Sequence, residues 1–158
     1  MIFHRTKDVE MIRSIATHPK IWPTLGDDLL SDPAEWKPLM HDGIWYVLAE
    51  EDCQTRGLFV FFPENSVCWQ VHICMRPEAW GSAARALREV FEWLWKQTTC
   101  QRITGSVPVW NAPAIACALK AGMQPFGGSQ VLTAASPAAG SVLRFKSNAS
   151  AWYLVGKV

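Results

Sequence analysis

The sequence has no long hydrophobic run, no basic stripe and no paired cysteine motif, and each absence excludes a class of protein. Its longest markedly apolar stretch, residues 57–63, is far too short to span a bilayer, and residues 1–7 have no apolar core of the signal-peptide kind. Its 15 basic and 14 acidic residues are scattered, which argues against nucleic-acid binding. We therefore expect a cytoplasmic protein with no membrane or nucleic-acid partner.

Disulfide and metal chemistry have little support in the sequence. The five cysteines are odd in number and are never spaced as CxxC, which favours reduced, mostly buried thiols over disulfides or zinc. Three of the four histidines, His4, His18 and His41, share no spacing typical of metal ligands. We predict no metal site.

Apolar residues, by contrast, are plentiful. They make up 49% of the 158 residues, enough for one buried core, and indicate a single domain over residues 1–158. Nine tryptophans are many for this length, and most are expected in the core. Trp93 and Trp110 fall at positions that suit a homodimer or partner surface, the alternative being that loops shield them.

Hydrophobic periodicity predicts an alternation of strands and helices. Strands are expected at residues 2–5, 43–49, 57–62, 67–75, 102–109 and 151–158. One helix is expected to start at Asp8, with Val9, Ile12, Ile15 and Ala16 facing inward, and two others to span 79–97 and 111–121. Helix 79–97 has a predicted core-facing stripe: Ala83, Leu87, Val90, Phe91 and Leu94. Irregular chain is expected at 21–39 and turns at 127–128 and 136–140. Because a helix connects strands 67–75 and 102–109, those two strands should be parallel.

The strand-to-helix junction at residues 73–84 is the most informative segment. Backbone N–H groups at a helix start attract anions, and the helix dipole adds to the attraction. Three small residues follow one another there: Gly81, Ser82 and Ala83. Small side chains let a phosphate approach the main chain, with Arg76 or Arg85 as the balancing cation. The alternative is that Gly81 only permits a tight turn.

The junction resembles one found in the GNAT superfamily of acyl-CoA-dependent N-acetyltransferases. That family carries Q/R-x-x-G-x-G/A here, and this chain reads Glu78-Ala79-Trp80-Gly81-Ser82-Ala83, with Glu78 in place of glutamine or arginine. Downstream, Asn111-Ala112-Pro113-Ala114-Ile115 followed by Gly122-Met123 is similar to the second family motif, N-x-x-A-I…G-F. The resemblance covers about residues 45–123.

The resemblance implies an α/β fold with a mixed, partly antiparallel central sheet flanked by helices. It also implies acetyl-CoA (or free CoA) as the ligand, and transfer of its acetyl group to a small-molecule or peptide amine by direct attack. The cofactor-binding residues that it implies are Ile73, Met75, Glu78, Ala79, Trp80, Gly81, Ser82, Ala83 and Asn111. Among these, the backbones of Ile73 and Met75 would pair with the pantetheine arm.

The catalytic groups are less complete than the binding motif. The tyrosine that often reprotonates the CoA thiolate in this family would fall at Ala118, and the chain has only Tyr46 and Tyr153. His72 is the candidate base, because a neutral imidazole accepts an amine proton near pH 7. Strand parity favours the alternative that His72 faces away from the cleft, unless a β-bulge changes the count.

A narrower similarity concerns residues 15–19, 25–28, 71–73 and 107–111, which resemble GNAT-like proteins of tailed phages and prophages. Some of those proteins are labelled head-assembly or virion-associated. This similarity implies an alternative function, a catalytically inactive GNAT-fold protein with a structural, assembly or binding role and a phage-structural partner. In that alternative Trp80 plugs the cofactor groove. A third hypothesis is binding of another nucleotide-like anion at Gly81.

Overall fold

Seven strands form one sheet in the part of the chain that the computed structural model describes, residues 1–25, 32–130 and 141–148. In chain order the strands are β1 Ile2–Thr6, β2 Trp45–Glu51, β3 Gln54–Pro63, β4 Cys68–Met75, β5 Arg102–Pro108, β6 Gln124–Gln130 and β7 Ser141–Asn148. The helices are α1 Val9–Ala16, α2 Trp22–Leu25, α3 Ala83–Gln97 and α4 Ala112–Lys120, and a 3₁₀ turn spans Pro77–Ser82.

The sheet is mixed, with the spatial order β1-β2-β3-β4-β5-β7-β6. Every neighbouring pair is antiparallel except β4 and β5, which are parallel and joined through α3. The predicted α/β fold and the predicted parallel crossover are both confirmed.

Helix α3 packs on one face of the sheet because its apolar side chains recur with helical periodicity. The stripe predicted from the sequence is buried in full: Ala83, Leu87, Val90, Phe91 and Leu94. The α-helix begins at Ala83 rather than at residue 79, because Pro77 starts a 3₁₀ turn and Ser82 (φ −100°, ψ 0°) departs from helical geometry.

The opposite face of the sheet is covered by α1. Asp8 caps this helix by accepting a hydrogen bond from the Met11 N–H at 3.0 Å, as the sequence predicted. Ile12 and Ile15 are buried against β2, β3 and β4. Val9, predicted to face inward, is exposed.

The structure differs from the sequence predictions mainly in the segments expected to be irregular or to form turns. The chain at 21–39, predicted irregular, contains the short helix α2. The turn predicted at residues 127–128 is wrong, because β6 runs through them after a register shift against β7. The segments 136–140 and 151–158 lie outside the described residues. Trp93 is half-buried against Trp45, with ring centroids 6.3 Å apart, whereas Trp110 is 49% exposed.

We expect the α3 core to dominate stability. Phe91→Ala removes a fully buried ring and should lower the free energy of unfolding by about 3–5 kcal/mol. Phe126→Ala removes a ring that is 45% exposed and should change it by about 0.5 kcal/mol or less. Urea titration of both variants measures the difference, and equal losses would contradict the position of the core.

Candidate functional site

Strands β4 and β5 separate soon after they meet. They pair only from Cys68 with Arg102 to Gln70 with Thr104. Beyond that point β4 continues to pair with β3, and β5 continues to pair with β7. The diverging strands leave a cavity of about 280 Å³ between residues 71–75 of β4 and residues 105–108 of β5.

The main chain of β4 presents hydrogen-bonding groups to this gap. The Arg76 N–H, just after β4, donates to the Arg56 carbonyl of the neighbouring strand β3 at 2.9 Å. Because peptide groups alternate in direction along a strand, those of Ile73 and Met75 point the other way, towards β5. No strand of the described chain pairs with them there. The gap therefore has a row of backbone donors and acceptors along one side.

The cavity reaches both faces of the sheet. On the α3 and α4 face its walls include Ala83, Asn111 and Ala118. On the α1 face they include Lys20 and Thr24, from the chain between α1 and the end of α2. A ligand in the gap therefore contacts groups from both sides of the sheet.

Six of the predicted site residues line this cavity: His72, Ile73, Met75, Trp80, Ala83 and Asn111. The other four belong to the 3₁₀ turn that leads into α3: Glu78, Ala79, Gly81 and Ser82. Ala79 is buried in the core below the turn, whereas Glu78 and Gly81 are exposed. All ten residues therefore lie either in the wall of the β4–β5 gap or in the 3₁₀ turn beside it.

Gly81 has no internal reason to be glycine. Its backbone does not have positive φ, in contrast to Gly122 (φ 84°), which follows α4. A Cβ atom added to Gly81 would meet no atom within 4 Å. Neither backbone strain nor packing requires a glycine, so the tight-turn alternative is not supported.

The start of α3 has no side-chain cap, although the Ala83 N–H already donates to the Trp80 carbonyl of the 3₁₀ turn. Ser82 occupies the N-cap position, but its hydroxyl donates to the Ala79 carbonyl at 2.9 Å and caps no N–H group. The first turn of α3 contains no acidic residue. Of the two candidate cations, Arg85 is held by Glu51 at 2.7 Å, whereas Arg76 has no ion pair within the described chain. The first backbone N–H groups of α3 thus lack a side-chain partner.

Trp80 forms part of the cavity wall. Its indole Nε1–H donates to the Met75 carbonyl at 2.9 Å, which fixes the ring beside the end of β4. The ring is 52% exposed. Trp80 therefore narrows the gap without filling it.

His72 lies on the α1 face, as regular strand parity requires, because the β3–β4 register is continuous and has no bulge. It still lines the cavity, since the gap opens to both faces. Its ring meets Phe62 edge-on at 5.3 Å. Burial lowers the pKa of His72 below 6.5, so the imidazole is neutral and able to accept a proton at pH 7.

Among the residues that the structure describes, no tyrosine takes the place of the one that the family often has at position 118. Ala118 is buried and lines the cavity, while the Tyr46 hydroxyl on β2 donates to the Leu39 carbonyl at 3.1 Å. Tyr153 lies outside the described residues. The two carboxylates that end β2 are engaged elsewhere, since Glu51 pairs with Arg85 and Glu50 lies 4.0 Å from His4.

Sequence reasoning missed the lining residues contributed by α2 and α4. Thr24 and Leu25 lie in a helix of only four residues, too short to give a periodic signal. Cys117 lines the cavity from α4, and burial raises the pKa of its thiol.

No metal site is evident in the described part of the chain: within residues 1–25, 32–130 and 141–148, no group of three or more His, Cys, Asp or Glu side chains is arranged to hold a metal ion. None of the helices described is long and apolar enough to cross a membrane.

Comparison with known proteins gives matches in structure but not in sequence. No protein-family model matches the chain, and no curated protein matches it. The solved structure of spermidine N-acetyltransferase from Vibrio cholerae, in complex with CoA and spermine, superposes with a TM-score of 0.77 at 14% identity. The match covers 96% of this chain and 97% of that one. The fold is that of the GNAT N-acetyltransferases.

Two other acetyltransferases share the GNAT fold with this chain. Aminoglycoside acetyltransferase AAC(6')-Ib, in complex with coenzyme A, matches with a TM-score of 0.75 and 14% identity over 98% of both chains. The Campylobacter jejuni N-acetyltransferase PseH, in complex with acetyl coenzyme A, matches with a TM-score of 0.56 and 11% identity. That match covers 69% of this chain and 70% of PseH.

We expect Asn111 to stabilise α4 as its N-cap. Its Oδ1 accepts a hydrogen bond from the Ala114 N–H at 3.2 Å, so Asn111→Ala should lower the free energy of unfolding by about 1 kcal/mol. Asn111→Ser should retain most of the cap, and Asp8→Ala at α1 should show a similar loss at a site away from the gap. Chemical denaturation checks all three. An unchanged stability in Asn111→Ala would contradict the cap.

Proposed function

We propose that the protein is an N-acetyltransferase that uses acetyl-CoA to acetylate a small-molecule or peptide amine. The observation that carries this proposal is the divergence of β4 from β5, which leaves an unpaired β4 edge beside a cavity of about 280 Å³. Three structures that share the fold contain CoA or acetyl-CoA, and one of them also contains spermine. These complexes support acetyl-CoA as the donor.

The pantetheine arm suits the gap because it is a narrow chain with two amide groups. The N–H and C=O groups of Ile73 and Met75 that face the gap would pair with those amides as a neighbouring strand does. The Met75 carbonyl already accepts the Trp80 indole N–H, but a carbonyl oxygen has two lone pairs and can accept a second bond. Trp80 is thus compatible with a bound cofactor and forms a wall of its groove.

The pyrophosphate suits the start of α3. The first turn of α3 has no side-chain cap and no acidic residue, so the helix dipole attracts an anion there, and Gly81 leaves the main chain accessible. Arg76 has no ion pair among the described residues and is the candidate cation at this end. Glu78 stands where the family usually has a neutral or basic residue, and its exposed carboxylate weakens the local positive potential.

Acetyl transfer would proceed by direct attack. The amine nitrogen attacks the thioester carbonyl carbon, a C–N bond forms, the C–S bond breaks, and CoA leaves as its thiolate. His72 accepts the proton that the amine loses. Ala118 provides no acid, so the thiolate takes its proton from water. Orientation of the two substrates in the gap supplies the main acceleration.

The phage-type similarity and the cytoplasmic location remain predictions from the sequence. A protein with the GNAT fold and no catalytic role would acetylate no amine, either with acetyl-CoA bound or with the groove plugged by Trp80, and turnover measurements distinguish it from an enzyme.

CoA binding should depend on Gly81. We expect Gly81→Leu to weaken CoA affinity by at least about tenfold, because the new side chain keeps the pyrophosphate from hydrogen bonds worth about 1.5–3 kcal/mol each. Folding should be unaffected, since the added atoms point into open space. Isothermal calorimetry measures the affinity, with the exposed Ala34→Leu as a matched control. Absence of CoA binding by the unmodified chain would refute the proposed donor.

Turnover should follow the protonation of His72. Because burial lowers its pKa, kcat measured at saturating substrates should rise with pH, bend below pH 6.5 and be level by pH 7. His72→Gln should lower kcat by about 10²–10⁴-fold and remove that bend. A wild-type profile without the bend, or a variant with normal kcat, would exclude His72 as the base.

A further inference from the structure

A second cavity, of about 150 Å³, lies on the α1 face of the sheet. Four aromatic side chains line it: Trp22, Trp36, Tyr46 and Phe62. Trp22 and Trp36 meet edge-to-face, with centroids 5.8 Å apart. Leu25 and His72 line both this cavity and the cavity between β4 and β5, so the two spaces are adjacent at these side chains.

The second cavity offers little to a charged group. Within the described part of the chain, no lysine, arginine, aspartate or glutamate lines it. The Tyr46 hydroxyl is occupied by the Leu39 carbonyl, and burial raises the pKa of the Cys74 thiol to about 12, which keeps it neutral. An ammonium group placed there would lose its hydration and find no carboxylate among these walls.

The size of the second cavity matches one ring. An enclosed apolar cavity of about 150 Å³ is large enough to bind benzene, and this space has the same volume although it is partly open to solvent. A benzene-sized or short aliphatic group would therefore fill this space, and an amine attached to it by one or two carbons would reach the side chain of His72. His72 also lines the cavity between β4 and β5, in which the thioester of acetyl-CoA would lie.

We propose that the acceptor is a primary amine carried on a short aromatic or aliphatic hydrocarbon group. This rests on the acetyltransferase function proposed above. The hydrocarbon fills the second cavity, and the nitrogen lies beside His72. The nitrogen attacks the thioester carbonyl carbon, its proton passes to the imidazole, and the CoA thiolate leaves. Such an acceptor differs from spermine, the polyamine bound in the Vibrio cholerae enzyme.

Competing amines test the acceptor class directly. We would measure kcat/KM with saturating acetyl-CoA for phenethylamine, ethylamine, spermidine and kanamycin. Phenethylamine should exceed ethylamine by about 10- to 100-fold, because burial of its ring is the only added interaction. It should also exceed spermidine and kanamycin, whose additional charges find no carboxylate among the described residues that line the second cavity.

Variants of the lining residues test whether the preference for phenethylamine over ethylamine arises in the second cavity. Val60 lines that space, and Val60→Phe fills it, so the ratio of kcat/KM for phenethylamine to that for ethylamine should fall towards one. Trp36→Leu, which removes an aromatic wall, should lower the ratio as well and serves if Val60→Phe does not fold. Trp110→Ala removes an exposed indole that lines neither cavity and should leave the ratio unchanged.

The outcomes separate this proposal from the proposed function. A higher kcat/KM for spermidine or kanamycin, or a ratio unchanged in both Val60→Phe and Trp36→Leu, would overturn the hydrocarbon acceptor and leave acetyl transfer in place. Failure to acetylate any amine while acetyl-CoA still binds would overturn acetyl transfer, and the acceptor with it.

Discussion

The site depends on how β5 divides its pairing between two neighbours. β5 is bonded to β7 over all seven of its residues, but to β4 over only three. The two parallel strands therefore diverge, and the unpaired edge of β4 faces a cavity. A conventional parallel ladder along the whole of β4 would satisfy those backbone groups internally and leave nothing for a ligand to pair with.

The crossover between these strands places a second feature at the same end. Because α3 follows β4 through a short 3₁₀ turn, its N-terminus lies where the strands are furthest apart. Gly81 and the start of α3, which has no side-chain cap, favour an anion there, while the unpaired β4 edge favours amides. The two preferences correspond to the pyrophosphate and pantetheine parts of one molecule. In the acceptor proposal, the aromatic cavity beside His72 would give the acceptor its own space on the α1 face.

Much of the fold could be predicted from the sequence because its signals are local. The α3 stripe, the cap at Asp8 and the parallel relation of β4 and β5 all follow from periodicity and connectivity. β6 could not be predicted, because Gly127 and Gly128 resemble a turn and are held in a strand only by pairing with β7. The four-residue helix α2 gives no periodic pattern.

The candidate site was predictable in part for the same reason. The glycine junction and Asn111 are sequence motifs, and they do lie beside the gap. The width of the gap, the exposure of His72 to it despite its strand parity, and the aromatic cavity all depend on where strands stop pairing. That depends on tertiary contacts between residues far apart in sequence, which no local pattern reports.

The most direct test of this account is amide hydrogen exchange of β4 with and without CoA. The N–H groups of Ile73 and Met75 point into the gap, whereas that of Cys74 points to β3 and serves as the internal control. We predict that saturating CoA slows exchange at Ile73 or Met75 by at least about tenfold and changes Cys74 much less, since a new hydrogen bond protects only the gap-facing groups. Unchanged exchange at both residues in the CoA-bound protein would show that the ligand does not pair with the open edge of β4.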